Sequence, residues 1–258
     1  MRASLLQIDV NPHESVADRR VRVAELVRAQ SGSDLVVLPE LWPTGAFAYE
    51  EFEANAESAA DGPTAEAMAA AARDAGVWLH AGSVVERAED GTLYNTALVF
   101  GPDGGLRRTY RKIHRFGFDQ GEAVMMGGGQ EVATVRLPDA VAGLATCYDL
   151  RFPELFRRLT DEGAGLFVIC AGWPARRREH WTLLARARAV ENQAYVLACC
   201  STGTHGGVPQ AGHSLVVDPW GEVRGEAGDG EQILTVDLDP AKIAKTREDF
   251  PVLRDRVL

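Results

Sequence analysis

The sequence predicts an α/β protein with mixed sheets and helices on the outside. Two observations carry this reading. In the first half, apolar, β-branched runs such as "SDLVVLPE" (33–40) alternate with amphipathic stretches, the pattern of parallel strands covered by helices. The middle and end add the turn signals "GPDGG" (101–105) and "DPWG" (218–221), which join antiparallel strands.

The elements follow in order. "ASLLQIDV" (3–10) reads as a first strand, and 13–28 as a helix whose inner face holds Val16, Val21, Val23, Leu26 and Val27. A second strand over 33–40 ends in Pro39-Glu40. "TAEAMAAAARDAG" (64–76) is an Ala-rich helix stopped by Gly76. A strand over 77–86 and two strands flanking "GPDGG" come next. The stretch 114–131, "HRFGFDQGEAVMMGGGQE", is Gly-rich without a clean period, and a loop of that length in a compact domain points to function. Strands over 132–137 and 141–147 precede a helix over 152–164, with Pro153 in its first turn. "GLFVICAG" (165–172) is a buried strand, 181–191 a helix, and 194–202, 211–227 and 231–239 close the sheets before a last helix over 240–249. No linker, low-complexity tract or repeat interrupts the chain, so one domain over 1–258 is expected.

Bulk properties exclude several classes. The chain has 258 residues, 46% hydrophobic and 25% charged, with a formal net charge of -10. An acidic chain is a poor nucleic-acid binder, and the basic cluster "ARRREHW" (175–181) reads as a solvated helix face. No apolar run approaches the roughly 20 residues of a membrane span. The first ten residues read as a strand rather than a leader. The four cysteines, Cys147, Cys170, Cys199 and Cys200, lack CxxC spacing, so a cytoplasmic protein with reduced thiols is expected. Cys199 and Cys200 read as core filler on opposite faces of one strand. The scattered histidines form no HxH or HxxxH pair, which argues against a metal, and no GxSxG, GxGxxG or Walker pattern occurs.

Three reactive residues each stand at the end of an expected strand: Glu40, Lys112 and Cys147. In layered α/β folds ligands sit beyond the carboxyl ends of strands, so the three point to one pocket. Taken singly, each has a plainer reading: Glu40 as a loop cap, Lys112 as a surface cation, Cys147 as a small buried hydrophobe.

Together, "LPELWPTG" (38–45), "YRKIH" (110–114) and "CYDLRFPE" (147–154) resemble the nitrilase superfamily of carbon–nitrogen hydrolases, in that family's order of Glu, Lys and Cys. The resemblance covers essentially the whole chain. It implies a four-layer α-β-β-α sandwich of two mixed sheets flanked by helices, with no cofactor. It assigns Glu40 as general base, Lys112 as stabiliser of thiolate and oxyanion, Cys147 as nucleophile and the Tyr148 backbone N–H as a second oxyanion donor. A second glutamate is expected in the Gly-rich loop, with Glu122 the match and Glu131 the rival. "CYDLRFPE" and "AGWPARRREHW" resemble the ω-amidase-like branch, which acts on monoamides of small dicarboxylic acids. Arg151 then reads as a carboxylate fork, against a plain salt bridge to Asp149 or Glu154. Arg176 or Arg177 would add charge at the mouth, although surface solvation is the plainer role for both. Trp42, Trp173 and Phe116 are candidate pocket walls. A nitrilase or an N-carbamoyl amino-acid hydrolase of the same family is the alternative activity, and a non-catalytic binding protein keeping the fold is the alternative from outside enzymology. The expected partners are a small amide substrate and a second copy of the chain, as a homodimer or higher even oligomer.

Overall fold

The computed structural model describes residues 1–257. In chain order the strands are β1 (Arg2–Gln7), β2 (Leu35–Val37), β3 (Trp78–Arg87), β4 (Leu93–Phe100), β5 (Leu106–Arg111), β6 (Thr134–Arg136), β7 (Val141–Thr146), β8 (Leu166–Ala171), β9 (Tyr195–Cys200), β10 (Thr204–His205), β11 (Val208–Pro209), β12 (Leu215–Val217), β13 (Val223–Glu226) and β14 (Gln232–Asp237). The helices are α1 (Val16–Arg28), α2 (Tyr49–Phe52), α3 (Pro63–Ala75), α4 (Glu122–Met125), α5 (Pro153–Asp161), α6 (Arg178–Asn192) and α7 (Ala241–Asp249).

Two six-stranded sheets form, ordered β14-β1-β2-β3-β4-β5 and β13-β12-β9-β8-β7-β6. Each has three parallel strands at its centre, β1-β2-β3 and β7-β8-β9, with antiparallel strands outside. Side-chain alternation sorts the layers. Leu5 and Val37 meet Leu144, Val168 and Leu197 in a core between the sheets. Their neighbours Leu6 and Leu38 point the other way, onto Val23 and Val27 of α1 and Met68 and Ala72 of α3. On the second sheet Ala145, Ile169 and Ala198 pack on Leu155 and Leu159 of α5 and Trp181 and Ala185 of α6. The result is the expected helix–sheet–sheet–helix sandwich. Cys199 faces the inter-sheet core and Cys200 the helical layer, as their adjacency in a strand requires.

Element boundaries differ from the sequence reading for local reasons. Helix α1 begins at Val16 because the Ser15 hydroxyl accepts the Asp18 N–H, an N-cap. Strand β2 stops at Val37. The Leu38 N–H still reaches the His80 carbonyl, but Pro39 has no N–H with which to continue the ladder. Helix α6 starts at Arg178, after a 3-10 turn over Ala175–Arg177, rather than at Trp181. The stretch 231–239 forms β14, which crosses to the first sheet and pairs with β1.

Candidate active site

Glu40, Lys112 and Cys147 all lie just past strand ends, and the backbone there is shaped for it. Leu41, next to Glu40, has φ 44°, and Cys147 itself has φ 48°, a left-handed conformation that non-glycine residues adopt at some cost. The bend at Cys147 opens a 3-10 turn over Cys147–Arg151. It is braced by Asp149, wholly buried, whose carboxylate accepts from Thr146 N at 2.9 Å, Tyr110 OH at 2.7 Å and His114 N at 3.0 Å. His114 in turn stacks on Phe152, 3.7 Å between ring centres. Gly82 makes room for the Pro39-Glu40 backbone: a Cβ there would lie 1.9 Å from the Pro39 carbonyl oxygen.

Four side chains form a closed polar network. Lys112 Nζ donates to Glu40 Oε1 and to Glu122 Oε2, each at 2.7 Å. Asn95 Nδ2 donates to Glu40 Oε1 and to Glu122 Oε1, each at 2.8 Å. The Gly172 N–H adds 2.8 Å to Glu40 Oε2, and the Phe116 N–H adds 2.8 Å to Glu122 Oε2. Cys147 Sγ lies 3.8 Å from the carbonyl oxygen of the same Gly172. One glycine thus touches both acid and thiol, and a Cβ on it would lie 2.3 Å from the Cβ of Ala46.

Burial and charge set the protonation states. Burial pushes the Cys147 thiol well up, the Glu40 charge adds to this, and the Lys112 ammonium opposes it. Burial alone would lower Lys112, but the charges of Glu122 and Glu40 outweigh it and hold the ammonium well above its ordinary value. Glu122 is raised, first by burial, against the pull of Lys112. The site at rest therefore holds a neutral thiol, a firm cation and buried acids, so attack by sulfur needs a base alongside.

A small cavity at Cys147 is walled by Phe47, Phe116, Tyr148, Trp173 and Pro174, with Arg151 and Arg177 in its lining. Phe47, Phe116, Pro174 and Arg177 also line an adjoining cleft of about 560 Å³. Arg177 lies 5.5 Å over the Phe116 ring and Arg151 4.9 Å over the Trp173 ring, within cation–π range. Arg177 is lowered, chiefly by burial and then by the charges of Arg176 and Arg151.

The sequence model of the carbon-nitrogen hydrolase family matches residues 2–248. The chain belongs to this family. It is 42% identical to a 2-oxoglutaramate amidase of Paenarthrobacter nicotinovorans over 97% of this chain and 87% of that protein, and 36% identical to omega-amidase NIT2 of Mus musculus over 99% and 94%. Among solved structures, a CN-hydrolase superfamily protein of Xanthomonas campestris, described with an arsenic adduct in its active site, superposes with TM-score 0.92 at 33% identity, covering 100% of this chain and 97% of that one. Nit3 of Saccharomyces cerevisiae, of the nitrilase superfamily, also gives 0.92 at 28% identity, with coverage of 100% and 97%.

In this carbon–nitrogen hydrolase the structure gathers Glu40, Lys112, Glu122 and Cys147 into one site, with Tyr148, Arg151, Trp173 and Phe116 around the cavity. Glu131, the rival for the second acid, is exposed and lies outside the network. Trp42 is a correction. The turn at Leu41 sends it back into the layer under α1 and α3, where it is fully buried and donates from Nε1 to the Ala81 carbonyl at 2.9 Å. Arg151 bonds neither Asp149 nor Glu154; Asp149 is already taken, and the guanidinium contacts His180 Nδ1 at 3.3 Å. Arg177, whose plainer reading was surface solvation, lines the cavity. Sequence reasoning missed Asn95, Gly172 and Phe47. The signal for Asn95 was an amide inside the apolar run "LYNTALVF" (93–100), since a buried polar residue asks for a partner.

Proposed function

We propose that this protein is a Cys147-dependent amidase that converts the terminal carboxamide of a small carboxylate-bearing substrate to carboxylate and ammonia. The observation that carries this reading is the Lys112 ammonium, bonded to two buried carboxylates, in one site with a buried thiol at a bent strand end. The names of the relatives, 2-oxoglutaramate amidase and omega-amidase, and the two arginines lining the cavity support a dicarboxylic-acid monoamide as substrate.

Glu40 takes the thiol proton as Cys147 sulfur attacks the amide carbon. Lys112 and the Tyr148 backbone N–H face the oxyanion of the tetrahedral intermediate. Collapse breaks the carbon–nitrogen bond, Glu40 returns the proton to the leaving nitrogen, and ammonia departs from a thioester. Glu40 then deprotonates a water that attacks the thioester, and the proton ends on the cysteine sulfur. Glu122 holds Lys112 in place. Arg151 and Arg177 receive the distal carboxylate, and Phe116 and Trp173 wall the chain between. By the family resemblance the enzyme is a cytoplasmic homodimer or higher even oligomer, and sedimentation will test the assembly.

The experiment is ammonia release from 2-oxoglutaramate, succinamate, glutamine, a neutral aliphatic amide, a nitrile and an N-carbamoyl amino acid, by wild type and Cys147→Ala. Release confined to the carboxylate-bearing amides and lost in Cys147→Ala is expected. Release mainly from the nitrile, the carbamoyl compound or the neutral amide would overturn the substrate assignment.

A further inference from the structure

The geometry points to Asn95 as the positioning residue that holds Glu40 and Glu122 as a matched pair, and so sets the pH at which the site becomes competent to ionise Cys147. The inference rests on the roles just proposed for Glu40 and Cys147. Asn95 is 2% exposed, on β4, with its amide nitrogen between the two carboxylates at 2.8 Å from each. A side-chain amide offers two hydrogens on one neutral nitrogen. Each acid receives one, and no charge is added to a site where Lys112 already supplies the cation.

A second observation fixes the direction of the amide. Asn95 Oδ1 is buried and finds no hydrogen-bond partner among the described residues. A buried acceptor left unpaired is unfavourable. The opposite orientation would aim that oxygen at both carboxylates, so the site keeps the orphan oxygen to present the two hydrogens. The Asn95 backbone carbonyl accepts the Lys112 N–H at 2.9 Å. The Lys112 backbone is therefore anchored independently of the Asn95 side chain, and its Nζ is held by the two acids themselves.

The other ionisable groups facing the pair are Lys112 from the end of β5, Cys147 from the end of β7 and Tyr49 from α2, whose hydroxyl is raised by burial and then by Glu122 and Glu40. Glu86 and Arg111, on the neighbouring strands, are paired with each other. None of these supplies a second neutral donor to both acids.

The test compares wild type, Asn95→Ala and the near-isosteric Asn95→Asp. Two pH profiles are measured: kcat/KM on an amide that wild type hydrolyses, and the rate of Cys147 alkylation by iodoacetamide, which needs no substrate. For Asn95→Ala, kcat should fall roughly 100-fold with KM within about threefold, the scale of impaired acid–base catalysis. The acid limb of both profiles should move up by about one pH unit, because a carboxylate that loses a donor holds its proton longer. Trp42→Phe, which removes a buried contact away from the site, should leave both limbs in place. Acid limbs of Asn95→Ala that coincide with those of wild type would overturn the inference even if the rate fell. If Asn95→Ala does not fold, Asn95→Asp carries the same test, its added charge moving the limbs in the same direction, and unmoved limbs again refute it. If wild type hydrolyses no amide in the panel, the amidase reading fails separately, and the alkylation profile still decides the role of Asn95.

Discussion

Replacing Lys112 by methionine keeps an unbranched side chain, one atom shorter, and removes the only cation bonded to Glu40 and Glu122 among the described residues. All three groups are almost fully buried, at 2%, 2% and 5% exposure for Lys112, Glu40 and Glu122, so water cannot take the place of the ammonium. Removing one partner of a buried ion pair costs about 3–5 kcal/mol. For a chain near this size each kcal/mol moves Tm by about 2–4 °C, so a loss of roughly 6–20 °C is expected. The loss should depend on pH. Burial already pushes Glu122 up, and without Lys112 it rises further. An acid whose pKa is higher folded than unfolded keeps its proton in the native state while the unfolded chain releases it. Its penalty is absent below the unfolded value of about 4.3 and grows as pH rises toward the folded value, by at most about 1.4 kcal/mol per pH unit. Thermal unfolding followed by circular dichroism at pH 5, 6, 7 and 8 should therefore show a Tm gap between variant and wild type that is smallest at pH 5 and largest at pH 8. A gap of the same size at both ends, or one worth less than about 1 kcal/mol, would refute the claim that the ammonium holds two buried negative charges.

Three further outcomes follow from the same structure. Gly172→Ala puts a Cβ 2.3 Å from Ala46; overpacking of this kind costs about 1–3 kcal/mol, and the shift of the Gly172 backbone should lower kcat more than Tm, as steady-state kinetics beside calorimetry will show. Trp42→Phe should lower Tm through the lost bond to Ala81 while kcat/KM stays within about twofold, because a buried hydrogen bond is worth about 1 kcal/mol and lies outside the cavity. Arg177→Ala should raise KM roughly tenfold or more for carboxylate-bearing amides, the scale of a charged hydrogen bond, and leave a neutral amide unchanged; equal effects on both would remove Arg177 from substrate recognition.

The α/β class was legible because apolar runs such as Leu35–Leu38, set between amphipathic stretches, are a local property, whereas the four-layer arrangement was implied by the family resemblance. Equally legible were the strand-end positions of Glu40 and Cys147, since an apolar run that stops at a reactive residue needs no knowledge of the rest of the chain, while Lys112 ends a polar strand set off by the turn signal before it. What stayed hidden depends on turns and on contacts distant in sequence. Trp42 was misread because it lies two residues past Glu40, and only the left-handed Leu41 reveals that the chain doubles back. Asn95 meets an acid 55 residues earlier and another 27 later, so no spacing rule flags it. The plainer alternative for Arg151, a pair with Asp149, fails for a similar reason. Asp149 is claimed by Tyr110, 39 residues away, and by His114, 35 away, and those partners come from the other sheet's side of the molecule.

The division of the site between the two sheets has a mechanical consequence. Glu40, Asn95 and Lys112 stand on or just past β2, β4 and β5 of one sheet, whereas Cys147 and Gly172 stand just past β7 and β8 of the other. The gap between acid and sulfur is thus gauged by the apolar slab that separates the sheets, where Leu5, Val37, Leu144 and Val168 act as spacers. Such a slab is close-packed and hardly compressible. Trimming one spacer, remote from the site, should therefore shift the acid relative to the sulfur without touching either. The interior of this protein is in that sense the calibrated jig of its chemistry, and neither sheet alone carries a working half of the site.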